Sequence, residues 1–224
     1  MKLPTAGAPS AGSALSGDPR ATASAVTASV VAGAVTGLVA AFSYYDRLLR
    51  PLAHTFGLWI LLAVIVSAGQ TPRRAILRAS TAVFAAIVAF HLGQRLIYRI
   101  KYHGDAYTFS ANSLALWCLL ALAAGVVLGP VFARIGRSGW SGSAAAAAAI
   151  GLLVADVRRR THNYPGDSAT LLTFAVLAVI IVIVLTAVSR RQLVRTALLI
   201  LPCVVLAYFL VSTPLLELLL GISR

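Results

Sequence analysis

The chain has 224 residues, 59% of them hydrophobic and 11% charged, with a formal net charge of +13 and a mean hydropathy of +0.89. Several apolar runs approach the roughly 20 residues needed to cross a bilayer, which excludes a soluble globular domain, and their continuity excludes the alternating pattern of a β-barrel. The basic residues flank these runs, where a membrane surface accounts for them, and no nucleic-acid motif accompanies them. The expected fold class is all-α: a polytopic membrane helical bundle of about seven spans.

Residues 1–20 are rich in Ala, Ser, Gly and Pro and read as a disordered tail without the apolar core of a signal peptide; residues 21–224 read as one transmembrane domain. Span one, about 21–43, carries Ser29, Gly33, Gly37 and Ala41 at steps of four, a small-residue ridge for close helix approach. Span two, about 52–69, follows the connection YYDRLLRP. Span three, about 75–98, runs into a polar end. Span four, about 113–133, carries a second ridge at Ala121, Gly125 and Gly129. Span five, about 141–156, holds a run of alanines and ends at Asp156, with Ser141 as its N-cap. Spans six and seven cover about 169–188 and 196–220.

Short motifs recur. Leu58-Trp59-Ile60-Leu61-Leu62-Ala63 returns 58 residues later as Leu116-Trp117-Cys118-Leu119-Leu120-Ala121. Lys101-Tyr102-His103-Gly104-Asp105 has a counterpart in Arg160-Thr161-His162 with Gly166-Asp167. These suggest three repeated hairpins after a lone first helix. With seven spans, the connections after the even spans are plainly basic, while the opposite face collects the histidines, five of the six acids and six of the seven tyrosines. The basic-residue balance favours a cytoplasmic N-terminus.

The stretch 91–112 carries the most chemistry. As a helix it places His91, Gln94, Arg95, Tyr98 and Tyr102 at steps of three and four, on one face. A polar stripe entering an apolar helix is costly in lipid unless it faces protein or water, so these five are the expected ligand-binding residues. Arg95 would hold an anionic group through its planar fork, in a pocket between spans three, five and seven. If the protein is instead an enzyme, Asp46, Asp156 and Glu217 are the candidate acids. His103, Asp105, His162 and Asp167 lack a metal-site spacing, so no metal is expected, and no cofactor fingerprint is present. Gly139-Trp140-Ser141-Gly142 matches the GxSG of rhomboid proteases, but no histidine follows His162 to activate the serine.

The order of the LW-x-LLA motif, a basic loop, an Ala-rich span, a tyrosine-bearing helix end and a second LW-x-LLA leading to LGPVFARIGR resembles a family of uncharacterised actinobacterial multi-pass membrane proteins. The resemblance covers roughly 52–160 and implies no known activity and no catalytic residue. Three functional expectations stand. The first is a protein of the bacterial plasma membrane that binds or transports a small anionic or amphipathic ligand. The second is a membrane-embedded enzyme on a lipophilic substrate, such as a seven-span terpene cyclase, with Tyr44, Tyr45, Tyr98 and Trp117 stabilising a cation. The third is a structural partner of another membrane protein, or a homo-oligomer, using the small-residue ridges.

Overall fold

The computed structural model describes residues 19–102, 110–186 and 189–212, and all regular structure among them is helical. In chain order the helices are α1 (Pro19–Tyr45), α2 (Arg50–Ala53), α3 (Gly57–Ser67), α4 (Pro72–Lys101), α5 (Ala111–Phe132), α6 (Trp140–Asn163), a 3-10 turn (Pro165–Asp167), α7 (Ser168–Thr186) and α8 (Arg190–Ser212). Six helical stretches are long and apolar enough to cross a membrane.

The side chains are distributed inside out relative to a water-soluble fold. Ala40, Ala79, Ala82, Ala86, Ala146 and Ser143 are buried, while Val31, Val35, Phe42, Leu119, Val184 and Leu201 face outward. Large apolar groups on the outside are stable in lipid, and small residues inside let the backbones approach. Gly33 and Gly125 show how close that approach is. A Cβ added at Gly33 would strike the Ala82 carbonyl oxygen, and one at Gly125 would strike Ser80. Both sequence ridges are therefore used within the chain, the first to seat α1 on α4 and the second to seat α5 on α4.

The same contacts give the helix directions. Gly33 meets Ala82 and Gly37 meets Ala86, so α1 and α4 run parallel. Gly125 meets Ser80 and Gly129 meets Ile76, so α5 returns antiparallel to α4. Ser143 of α6 bonds the Gln192 carbonyl of α8 at 3.3 Å and Gly151 lies against Cys203, so α6 and α8 are also parallel. α3 runs back against α4, starting beside Asp156 and ending where Gly69 N–H donates to the Ile135 carbonyl at 3.0 Å. α7 runs back in the second group, from Thr170, which donates to the Leu48 carbonyl, to Leu185 beside Gly136. The bundle is thus two three-helix units, α1–α3–α4 and α6–α7–α8, with α5 packed on α4 and with α3 making the larger contact with α6. The strongest packing pairs are α1 with α4, then α4 with α5 and α6 with α8; of these only α4 with α5 is a consecutive hairpin.

Two elements depart from the sequence reading. The expected span over 52–69 is broken: α2 stops at Ala53, and α3 begins at Gly57 and has 11 residues. At 1.5 Å per residue α3 is about 16 Å long, short of a bilayer core of about 30 Å. The break follows Pro51 at the start of α2, and the new helix start is stabilised by Asp156 from α6. In contrast, α6 does not end at Asp156 but continues through three arginines to Asn163, 24 residues in all. Arginine is a good helix former, and the Asp156 carboxylate is buried and bonded rather than marking an exit to water. Its N-cap is Gly139, at φ 96°, and Ser141 lies inside the first turn.

Candidate functional site

The ends of α1, α4 and α6 converge on one face of the bundle around a polar vestibule of about 910 Å³. α1 supplies Tyr44 and Tyr45, the following turn Asp46 and Arg47, and α2 Arg50. α4 supplies Tyr98, Lys101 and Tyr102; α6 supplies Arg160, with Tyr164 and Asp167 just beyond it.

Both acids in this wall are engaged locally. Asp46 Oδ1 accepts the backbone N–H groups of Leu48 and Leu49, both at 2.9 Å, and so caps the turn into α2. Asp167 lies 3.5 Å from the Arg160 guanidinium, which also stacks on Tyr164 at 3.8 Å. Lys101 reaches the Tyr45 carbonyl at 3.5 Å and sits over the rings of Tyr45 and Tyr102 at 5.8 and 6.0 Å. With Asp46 turned to the backbone and Asp167 paired, Arg47, Arg50 and Lys101 leave the vestibule positive. Partial burial lowers the His54 pKa below its ordinary 6.5; Arg160 and Arg50 push it the same way, and Asp167 opposes them.

A second cavity, about 630 Å³, shares two lining residues with the vestibule and lies in the apolar part of the bundle. Its wall is aromatic: Phe56 and Trp59 at α3, Phe90 on α4 and Trp117 on α5. Phe56 and Trp117 are 6.4 Å apart and Trp59 meets Phe90 edge-on at 6.0 Å. Ala121 and Ala124 leave room on α5, and His91 and Gln94 of α4 supply polar groups to the wall. The His91 ring nitrogen Nδ1 is 2.9 Å from the Ile87 carbonyl, and Tyr45 Oη donates to the Gln94 carbonyl at 3.3 Å. Tyr44 and His54 line both cavities.

The five residues of the expected stripe are therefore divided. His91 and Gln94 line the apolar cavity; Tyr98 and Tyr102 line the vestibule. Arg95 is exposed and lines neither. The reason is angular: successive residues turn by about 100°, so Arg95 points a full step beyond buried Gln94. Of the third, fifth and seventh expected spans, the vestibule brings together the ends of the first two, α4 and α6; among the described residues it is α1, not α8, that joins them. Of the candidate acids, Asp46 borders the vestibule, Asp156 is buried behind the aromatic wall, and Glu217 lies outside the described residues. His103 and Asp105 also lie outside them, and His162 is exposed. Arg47, Arg50, His54 and Phe56 were not singled out by spacing. The recurring LW motif was the available signal, since Trp59 and Trp117 both prove to line the apolar cavity.

A family model matches residues 16–217, which takes in every described helix. The chain belongs to the family of unknown function DUF6518. The match extends well beyond the 52–160 segment that carries the sequence resemblance, into α1, α7 and α8. Membership brings no activity with it. No curated protein and no solved structure matches the chain.

Proposed function

We propose that this membrane protein binds an anionic amphiphile, with its charged head in the vestibule and its apolar tail in the aromatic cavity. The observation that carries the reading is the sharing of Tyr44 and His54 by a basic, tyrosine-lined space and an apolar one. A ligand with only a charge would leave the apolar cavity unfilled, and one with only a hydrocarbon would leave the basic vestibule uncompensated. Arg47, Arg50 and Lys101 suit a phosphate- or carboxylate-bearing head, and Tyr98 and Tyr102 offer hydroxyls beside it. His91 and Gln94 would orient the first polar atoms below the head. Transport of such a ligand is a natural extension, because the site opens toward one face of a two-unit bundle.

The cyclase alternative needs a carboxylic acid facing the apolar cavity. Among the described residues lining it there is none.

Thermal unfolding in a neutral detergent tests the binding reading. The purified protein is titrated with dodecyl phosphate, with dodecanol and with inorganic phosphate. Dodecyl phosphate should raise the Tm, by an amount corresponding to about 2.7 kcal/mol at a hundredfold excess over Kd. Dodecanol and inorganic phosphate should each do much less. Equal stabilisation by dodecanol and dodecyl phosphate would remove the head site from the account.

A further inference from the structure

The vestibule ends against the last turns of α6, and one buried residue there touches neither cavity. Asp156 is 1% exposed in an otherwise apolar part of α6. Its Oδ2 accepts the backbone N–H of Phe56 at 2.8 Å and that of Gly57 at 3.1 Å; its Oδ1 accepts from Arg159 at 3.2 Å. The first amides of a helix have no partner within it. No side chain at the N-cap position of α3 supplies one, so Asp156 caps α3 from another helix, about 100 residues away in sequence.

Arg159 completes the arrangement, since its guanidinium carbon lies 5.5 Å over the Phe56 ring. α6 thereby holds Phe56 twice, by its amide and by its ring. Phe56 is also the residue through which the start of α3 meets Trp117 in the cavity wall. A buried carboxylate is costly unless its bonds are well made, and here they are made to the wall of the cavity.

We infer that Asp156 is the positioning residue of the amphiphile site: with Arg159 it locks Phe56 and the start of α3 into the tail cavity, leaving the head group to Arg47, Arg50 and Lys101. The inference rests on the ligand reading above. It gives the α6–α7–α8 unit a defined hold on a cavity built by α3, α4 and α5. Loss of the carboxylate lets the start of α3 move and loosens the grip on the tail, while the basic vestibule keeps its charge.

Tryptophan quenching in nanodiscs separates these effects. The chain has three tryptophans. Trp140 lies at the far end of α6, so a Trp140→Phe background leaves the two that line the cavity. Brominated-chain phosphatidylglycerol is compared with brominated-chain phosphatidylcholine at the same mole fraction, and bound lipid is counted by native mass spectrometry. The background protein should be quenched more strongly by the anionic lipid. Arg50→Ala should lose both this excess and the bound anionic lipid. Asp156→Ala should reduce the excess roughly fivefold, as expected for loss of a buried helix cap, with anionic lipid still bound. Asp156→Asn keeps an oxygen for the two amides and should retain most of the excess. An unchanged excess in Asp156→Ala overturns the inference, and so does a parallel loss of lipid and quenching. If Asp156→Ala does not fold, Arg159→Met carries the same comparison: loss of the excess with lipid bound supports the inference, and an unchanged excess overturns it. Absence of any anionic excess in the background protein instead contradicts the ligand reading itself.

Discussion

Tyr44 and His54 meet at a tilt of 50°, with ring centroids 5.2 Å apart, and both line the basic vestibule and the apolar cavity. The pair sits where the head and tail of an amphiphile would join. His54 is also a vestibule group whose protonation is shifted, in favour of the neutral imidazole. Its pKa is lowered by partial burial, then by Arg160 and Arg50, with Asp167 opposing. At pH 7 the empty site therefore holds a neutral imidazole. A bound anion favours the charged form, so binding takes up a proton and affinity rises as pH falls. The window lies below 6.5, the ordinary value, because the shift is downward. The same sign means that the contribution of His54 to stability is complete above that value and is lost as pH falls beneath it. Affinity for dodecyl sulfonate, whose charge is constant in this range, should increase from pH 7 to about pH 5. His54→Gln should flatten the profile.

The head site makes a contrast between two arginines. Arg50 lines the vestibule, whereas Arg95 is exposed outside both cavities. Arg50→Ala should weaken dodecyl phosphate binding about tenfold, the loss expected for a charge-assisted hydrogen bond. Arg95→Ala should leave it unchanged. Titrations by thermal shift give both numbers, and equal effects would mean that general surface charge, not the vestibule, recruits the ligand.

Filling the tail cavity should act without unfolding the bundle. Ala124 borders the cavity and is only partly buried. Ala124→Phe places a ring in the space for the tail and should abolish stabilisation by dodecyl phosphate, while the Tm of the empty protein moves by no more than a few degrees. A normal response to the ligand would show that the tail lies elsewhere.

The glycine contacts predict stability rather than binding. A side chain at Gly33 strikes the Ala82 carbonyl, which is backbone and cannot rotate away. Gly33→Leu should destabilise the protein by about 3 kcal/mol or prevent its accumulation in the membrane. Val35→Leu, on the exposed side of the same helix, should be neutral. Yield and Tm in detergent measure the difference.

Apolar run length and the small-residue ridges were enough to read the membrane bundle from sequence, because lipid imposes both. The same rules misread 52–69 as one continuous span. The helix start after the break is capped by Asp156, a residue about 100 positions away, and local hydropathy carries no trace of that contact. The candidate site was legible only in its placement. Spacing put His91, Gln94, Tyr98 and Tyr102 on one face of the helix, and all four line one or other cavity. It could not separate Arg95 from Gln94, because adjacent residues on a helix differ by about 100° and only the position of a neighbouring helix decides which one faces in. Arg47 and Arg50 looked like ordinary interfacial charge. Their place in a shared wall is set by tertiary packing, with α6 and the turn after it bringing Arg160 and Asp167 to the same vestibule.

The central claim is that the vestibule and the cavity hold one anionic amphiphile. Native mass spectrometry of the protein released from its own membranes tests this most directly, with wild type beside Arg50→Ala, Ala124→Phe and Arg95→Ala. The account predicts one class of anionic amphiphile bound to wild type and to Arg95→Ala, and depleted in the other two variants. Bulk lipid in the same proportions in all four samples would contradict it.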